Sequence, residues 1–143
     1  KPITDELMYS KYNEGTFLDD KRININNTNS MSESIGSISN KYWNQNIENK
    51  IKFLKKYFKK INSYGSIGCE YFDIVVGKRD FAILSKLSPW DHIAGVLIVR
   101  EAGGFDSHFD YLPYKFNNKC ENLIVSNSKK LNIEILNKLK EVE

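Results

Sequence analysis

A chain of 143 residues with 41% hydrophobic side chains fits one ordinary domain with a real core. Its 21 basic and 18 acidic residues leave a net charge of only +3, dispersed except around residues 50–60, which argues against a nucleic-acid binder. No apolar run approaches the roughly 20 residues that span a bilayer. Cys69 and Cys120 lie far apart without a Cys-x-x-Cys spacing, so the expectation is a cytoplasmic protein with reduced thiols and no membrane partner. The opening Lys1-Pro2-Ile3-Thr4 has neither a signal core nor a transit pattern and does not begin with Met, so a piece of a longer protein is expected.

In chain order, Met8-Tyr9-Ser10 and Gly15-Thr16-Phe17-Leu18, followed by Asp19-Asp20-Lys21-Arg22, read as short strands joined by turns, an antiparallel meander. Residues 24–39 are rich in Asn and Ser and read as a loop, or at most a strand at its end, with the least order expected there. Ile47, Ile51, Leu54, Phe58 and Ile61 recur at helical spacing and predict one amphipathic helix, its other faces filled by lysines. Those lysines either attract phosphates or form a solvated outer face, and the scarcity of aromatics among them favours the latter. A turn at Tyr64-Gly65-Ser66 leads to a helix over residues 67–76, a stop at Gly77 and a strand over 81–84. Pro89, then Asp91 as N-cap, then the apolar run from Ile93 to Val99 predict an interior helix from Asp91 to about Ala102. Gly95 in its middle calls for close packing, and Gly103-Gly104 stop it. Strands over 105–109 and 122–126 and a last amphipathic helix capped by Ser128 complete an alternation that argues for an α/β sandwich.

The stretch from Pro89 to Gly104 resembles a known family, the inositol monophosphatase-like phosphatases. Pro89-Trp90-Asp91, Ala94-Gly95 and Glu101-Ala102-Gly103-Gly104 match that family's C-terminal signature in order and spacing. The similarity extends to the hairpin over residues 9–23 and to Ser63-Tyr64-Gly65-Ser66, which looks like the family's Ser-x-Gly-Ser/Thr turn. The resemblance implies the C-terminal half of an αβαβα fold, with a mixed sheet flanked by helices. Residues 1–45 would hold strands and a loop from the end of an N-terminal lobe, and residues 46–143 the C-terminal lobe.

Hydrolysis of a phosphate ester needs a polarised phosphoryl group and an activated water, and magnesium held by carboxylates supplies both. Asp91 is the candidate ligand. An Asp there could merely cap its helix, but the resemblance makes it a catalytic Mg2+ ligand, presented by a loop that Trp90 helps to fix. The family's other ligands lie on a Gly-Glu-Glu stretch and an Asp-Pro-x-Asp-Gly-Thr motif, and neither occurs here. Gly65, Ser66 and Ile67 match the family turn that meets the alcohol portion of the substrate, where a helix entrance exposes N–H donors; an ordinary Ser66 N-cap is the equal alternative. Glu70, one turn on, either faces the same pocket or is an exposed helix acid, the commoner case. His92 reads as a polar surface or packing residue, with substrate contact as the alternative. His108 lacks an evident partner. Leu84 stands where animal inositol phosphatases carry an inositol-contacting glutamate, which puts inositol specificity in doubt.

The expected function is therefore the C-terminal part of a Mg-dependent phosphomonoesterase. Its substrate class would be a small phosphorylated alcohol such as an inositol phosphate, sugar phosphate, histidinol phosphate or nucleotide. The chain by itself is expected to be inactive, and the resemblance implies a homodimer for the full-length protein. The alternative is a non-catalytic binding or regulatory module that keeps this lobe and engages an anionic partner through its lysine helix.

Overall fold

The computed structural model describes residues 1, 3–26, 30–117 and 119–142. Two sheets organise the chain. The first is the expected meander: β1 (Met8–Lys11), β2 (Gly15–Leu18) and β3 (Lys21–Ile23) pair antiparallel in sequence order. The second is a five-stranded mixed sheet in the order β5-β4-β6-β8-β7, with β4 (Ile35–Ile38), β5 (Lys60–Ile61), β6 (Phe81–Ser85), β7 (Phe105–Ser107) and β8 (Asn122–Ser126). β4 runs parallel to β5 and β6, whereas β8 runs antiparallel to β6 and β7. This sheet thus takes a strand from upstream of residue 46. Part of the stretch expected to be least ordered, residues 27–29, lies outside the described residues. Farther along that stretch come a 3-10 turn at Met31–Glu33 and then β4.

Strand alternation splits the core in two, because successive side chains leave opposite faces of a sheet. Phe81 and Ile83 of β6, Ile38 and Ile124 pack with Ile51 and Leu54 of α1 (Gln45–Lys55) and with Leu131, Ile135 and Leu136 of α4 (Lys129–Lys140). Ala82 and Leu84 of β6, Leu123 and Val125 pack on the other side with Tyr71, Ile74 and Val75 of α2 (Ile67–Val75) and with Val96 and Val99 of α3 (Pro89–Glu101). The meander then lies over α3. Thr16 donates its hydroxyl to the carbonyl of Ile98 at 2.7 Å, and the Glu101 carboxylate accepts from the N–H groups of Asn13 and Gly15, each at 3.0 Å.

Three predicted features take a different form. The stripe running from Ile47 to Ile61 is not one helix: α1 ends at Lys55, Phe58 is buried in the turn after it, and Ile61 belongs to β5. The backbone N–H of Lys59 is taken by the carbonyl of Ser34 and that of Asn62 by Gly36, so pairing with β4 replaces further helical bonds. α3 begins at Pro89, with Ser88 as its N-cap, which moves Asp91 from the cap into the first turn. Proline suits the first helical position because its ring presets φ and the N–H it lacks would have no partner there. Nor is α3 an interior helix all round: His92, Gly95, Val96 and Val99 are buried, but Trp90 is 84% and Ile93 46% exposed. The close packing expected at Gly95 is present, since a Cβ there would sit 2.2 Å from the Tyr71 ring. The helix closes as expected at Ala102 and Gly103, whose φ of +95° suits glycine.

Candidate active site

β6 delivers the chain to one end of the large sheet, and the turn at Lys86 leads it into α3. Beside that turn, the N-terminus of α2 and the segment after β4 converge on a cavity of about 410 Å³. Its walls include Gly65, Ser66, Ile67, Glu70, Leu84, Asp91 and His92, so the topology brings together every substrate and metal residue expected from the sequence. Asp91 is exposed and also borders a second cavity, of about 600 Å³, lined by Trp90, Met8, Tyr71 and Ala94. Within the described residues the Asp91 carboxylate has no hydrogen bond or ion pair, and it does not cap α3. Trp90 does not anchor the bend: its side chain opens into the second cavity, leaving Pro89, the Ser88 carbonyl that takes the Asp91 N–H, and His92 to shape the helix entrance.

Ser66 occupies the N-cap of α2, but its hydroxyl makes no capping bond, which leaves first-turn N–H groups of that helix without a side-chain cap. Gly65 precedes it with φ +71°, a left-handed turn open on its Cβ side. Glu70 is not an exposed acid. It is 2% exposed, accepts from the Ser63 hydroxyl and the Tyr64 N–H, each at 3.1 Å, and stands 3.1 Å from Nε of Arg79. A carboxylate enters such an interior only with charge and donors around it, and Arg79 supplies the charge while the turn supplies the donors. Sequence reasoning misses Arg79, because the chain reverses through Gly77 before returning it to Glu70 and no local spacing signals the pair.

His92 is likewise buried, at 1% exposure, and not a surface residue. Its Nδ1 is 2.8 Å from the Tyr71 hydroxyl, tying α2 to α3. Burial lowers its pKa, outweighing the opposite pull of neighbouring Asp91, and burial pushes the Tyr71 hydroxyl well up. His108 is fully buried and does have a partner, the carbonyl of Asn122. Among the described residues neither Cys69 nor Cys120 stands in a disulfide. Among the described residues no helix is long and apolar enough to cross a membrane, and no group of three or more His, Cys, Asp or Glu side chains is placed to hold a metal ion.

The family model described as the inositol monophosphatase family matches residues 1–143. The chain belongs to that family. It is 29% identical over 128 residues to a fructose-1,6-bisphosphatase/inositol-1-monophosphatase of Thermotoga maritima, covering 88% of this chain and 48% of that protein. It is 27% identical over 118 residues to an inositol-1-monophosphatase of Bacillus subtilis, covering 80% and 44%. Among solved structures, a Thermotoga maritima IMPase superposes with a TM-score of 0.80 at 27% identity, over 99% of this chain and 54% of that one. An inositol monophosphatase from Anabaena superposes at 0.84 and 23%, over 99% and 58%, which speaks for the fold alone. These relatives establish for the chain the C-terminal α/β half of the family's fold, and the chain spans about half the length of the curated relatives it matches.

Proposed function

We propose that this chain forms the C-terminal part of a magnesium-dependent phosphomonoesterase acting on a small phosphorylated alcohol, and that without further acidic ligands it does not turn over. The observation that carries the reading is that an uncommitted carboxylate, Asp91, lines the same cavity as the uncapped entrance of α2. A hard cation binds oxygen ligands and shares them among several carboxylates, waters and substrate. Asp91 fits as one such ligand, being exposed, unpaired and in the first turn of a helix. Bound magnesium would supply charge stabilisation at the phosphoryl group and an activated water.

The remaining work falls to the chain's own groups. Gly65, Ser66 and Ile67 form the wall that receives the alcohol portion, through the N–H groups of Ser66 and Ile67 and the Ser66 hydroxyl, while the Gly65 N–H stays on the Ser63 hydroxyl and shapes the turn. Glu70 acts on that portion indirectly, by clamping the Ser63-Tyr64 turn that presents it. Dimerisation of the whole protein and a cytoplasmic location remain part of the same proposal.

A magnesium-titrated phosphate-release assay tests it, run on this polypeptide and on the longer protein containing it. The polypeptide should be silent and the longer protein active. Asp91→Asn should lower magnesium-dependent turnover by about a hundredfold or more with an unchanged unfolding midpoint. Turnover by the polypeptide alone, or full activity in Asp91→Asn, would overturn the reading.

A further inference from the structure

Ser66, Ile67 and Asp91 border both the cavity of about 410 Å³ and that of about 600 Å³, so the entrance of α2 and the first turn of α3 form the ridge between them. The substrate-side turn and the proposed metal ligand thus stand on different helices. Within the described residues the Asp91 carboxylate has no hydrogen bond or ion pair of its own. A side chain without partners is aimed by its backbone, so whatever seats the first turn of α3 against α2 also aims Asp91.

One side chain makes that seat. Tyr71 lies one turn along α2 from Ile67 and is 2% exposed. Its hydroxyl is 2.8 Å from Nδ1 of His92, the residue after Asp91, and the two rings meet edge-on with centroids 6.0 Å apart. The same ring lies against Gly95, one turn farther along α3, where no room remains for a Cβ. Tyr71 therefore holds α3 at two successive turns. It lines the larger cavity and His92 the smaller, so their bond joins the two sides of the ridge. The imidazole is buried in its turn and backed by the Tyr114 ring, 6.4 Å away between centroids. Apolar side chains could fill this space at little loss of stability, but a hydrogen bond adds direction, and binding constellations need supporting groups that hold them to about 0.5 Å.

We infer that Tyr71 is a positioning residue: acting through His92 and Gly95, it fixes the first turn of α3 against α2 and so holds the Asp91 carboxylate on the same ridge as Ser66 and Ile67. The inference rests on the phosphatase reading for the role of Asp91, and its test needs no turnover.

The test is Mn2+ titrated onto the whole chain and followed by amide-resolved NMR, because a paramagnetic ion broadens signals in a way that falls steeply with distance. In the native chain Mn2+ should broaden the amides of Asp91, Ser66 and Ile67 together, and Asp91→Asn should abolish the effect at all of them. Tyr71→Phe keeps the ring on Gly95 and removes only the hydroxyl. Its broadening at Ser66 and Ile67, relative to that at Asp91, should fall about twofold, as for a ligand loosened by roughly 1 Å. His92→Leu should do the same, and the double variant Tyr71→Phe/His92→Leu should do no more than either alone. His92→Asn, which returns a polar atom near the place of Nδ1, should keep the native ratio. Ile135→Val, in the core on the opposite face of the sheet, should lower the urea midpoint about as much as Tyr71→Phe yet leave the ratio unchanged, which separates positioning from general stability. A native ratio in Tyr71→Phe, or an equal fall in Ile135→Val, would overturn the inference and leave the phosphatase reading standing. Broadening that does not depend on Asp91 would overturn both.

Discussion

Arg79 lies with its Nε 3.1 Å from the carboxylate of Glu70, both side chains being removed from solvent. The guanidinium also stacks on the Tyr64 ring, 4.2 Å from its centroid, and donates to the Asn62 carbonyl. One buried cation therefore braces the segment that bears the substrate-side turn.

Removing that cation strands Glu70 as a buried acid and leaves Asp73, 3.8 Å from the guanidinium, with Lys1 as its remaining ion-pair partner. Arg79→Met should lower unfolding free energy by about 3–5 kcal/mol in urea denaturation, the usual result of breaking a buried pair from one side. The double variant Glu70→Gln/Arg79→Met should recover part of the loss, so that the two substitutions are strongly non-additive. A loss below about 1 kcal/mol for Arg79→Met would show that the pair does not brace the turn.

Gly95 and Gly68 separate packing from helix propensity. Alanine should help an exposed helix by about 1 kcal/mol, and at Gly68 a Cβ meets nothing within 4 Å, so Gly68→Ala should be neutral or stabilising by up to about 1 kcal/mol. At Gly95 the methyl runs into a Tyr71 ring whose hydroxyl is tied to His92. Gly95→Ala should therefore cost about 1–3 kcal/mol by overpacking, and thermal or urea unfolding of the two variants should move in opposite directions or differ by that amount.

His92 makes stability depend on pH. Its folded pKa lies below the ordinary value of 6.5 because burial disfavours the imidazolium, so the unfolded chain binds the proton first. Its contribution is fully present above about pH 6.5 and is lost as the pH falls from there through the lowered folded pKa. Urea midpoints measured between pH 7.5 and 5 should fall more steeply for the native chain than for His92→Phe. Identical slopes would remove His92 as the cause.

Much of this architecture is legible in one dimension because local chemistry writes it there. The turn residues and short β-rich runs give the meander, the apolar spacing gives α4 with Ser128 capping it, and the Trp-Asp to Glu-Ala-Gly-Gly stretch points to the inositol monophosphatase family. Period alone misleads where tertiary pairing competes with it. Phe58 and Ile61 keep the helical spacing of Ile47, Ile51 and Leu54, yet Phe58 falls in the turn after α1 and Ile61 pairs with β4, because a parallel strand partner satisfies amide groups that a longer helix would have used.

The residues of the candidate site divide along the same line. Asp91, Gly65 and Ser66 stand out through the resemblance of their motifs to the family's, and that resemblance pointed to the kind of chemistry to look for. Whether Glu70 is exposed or interred, whether Trp90 packs, and which cations share the cavity were decided only when Arg79, Tyr71, Lys41 and Lys86 were carried in from other segments. Burial and charge pairing depend on neighbours distant in the sequence, and no local pattern encodes those until the sheet has brought the strand ends together.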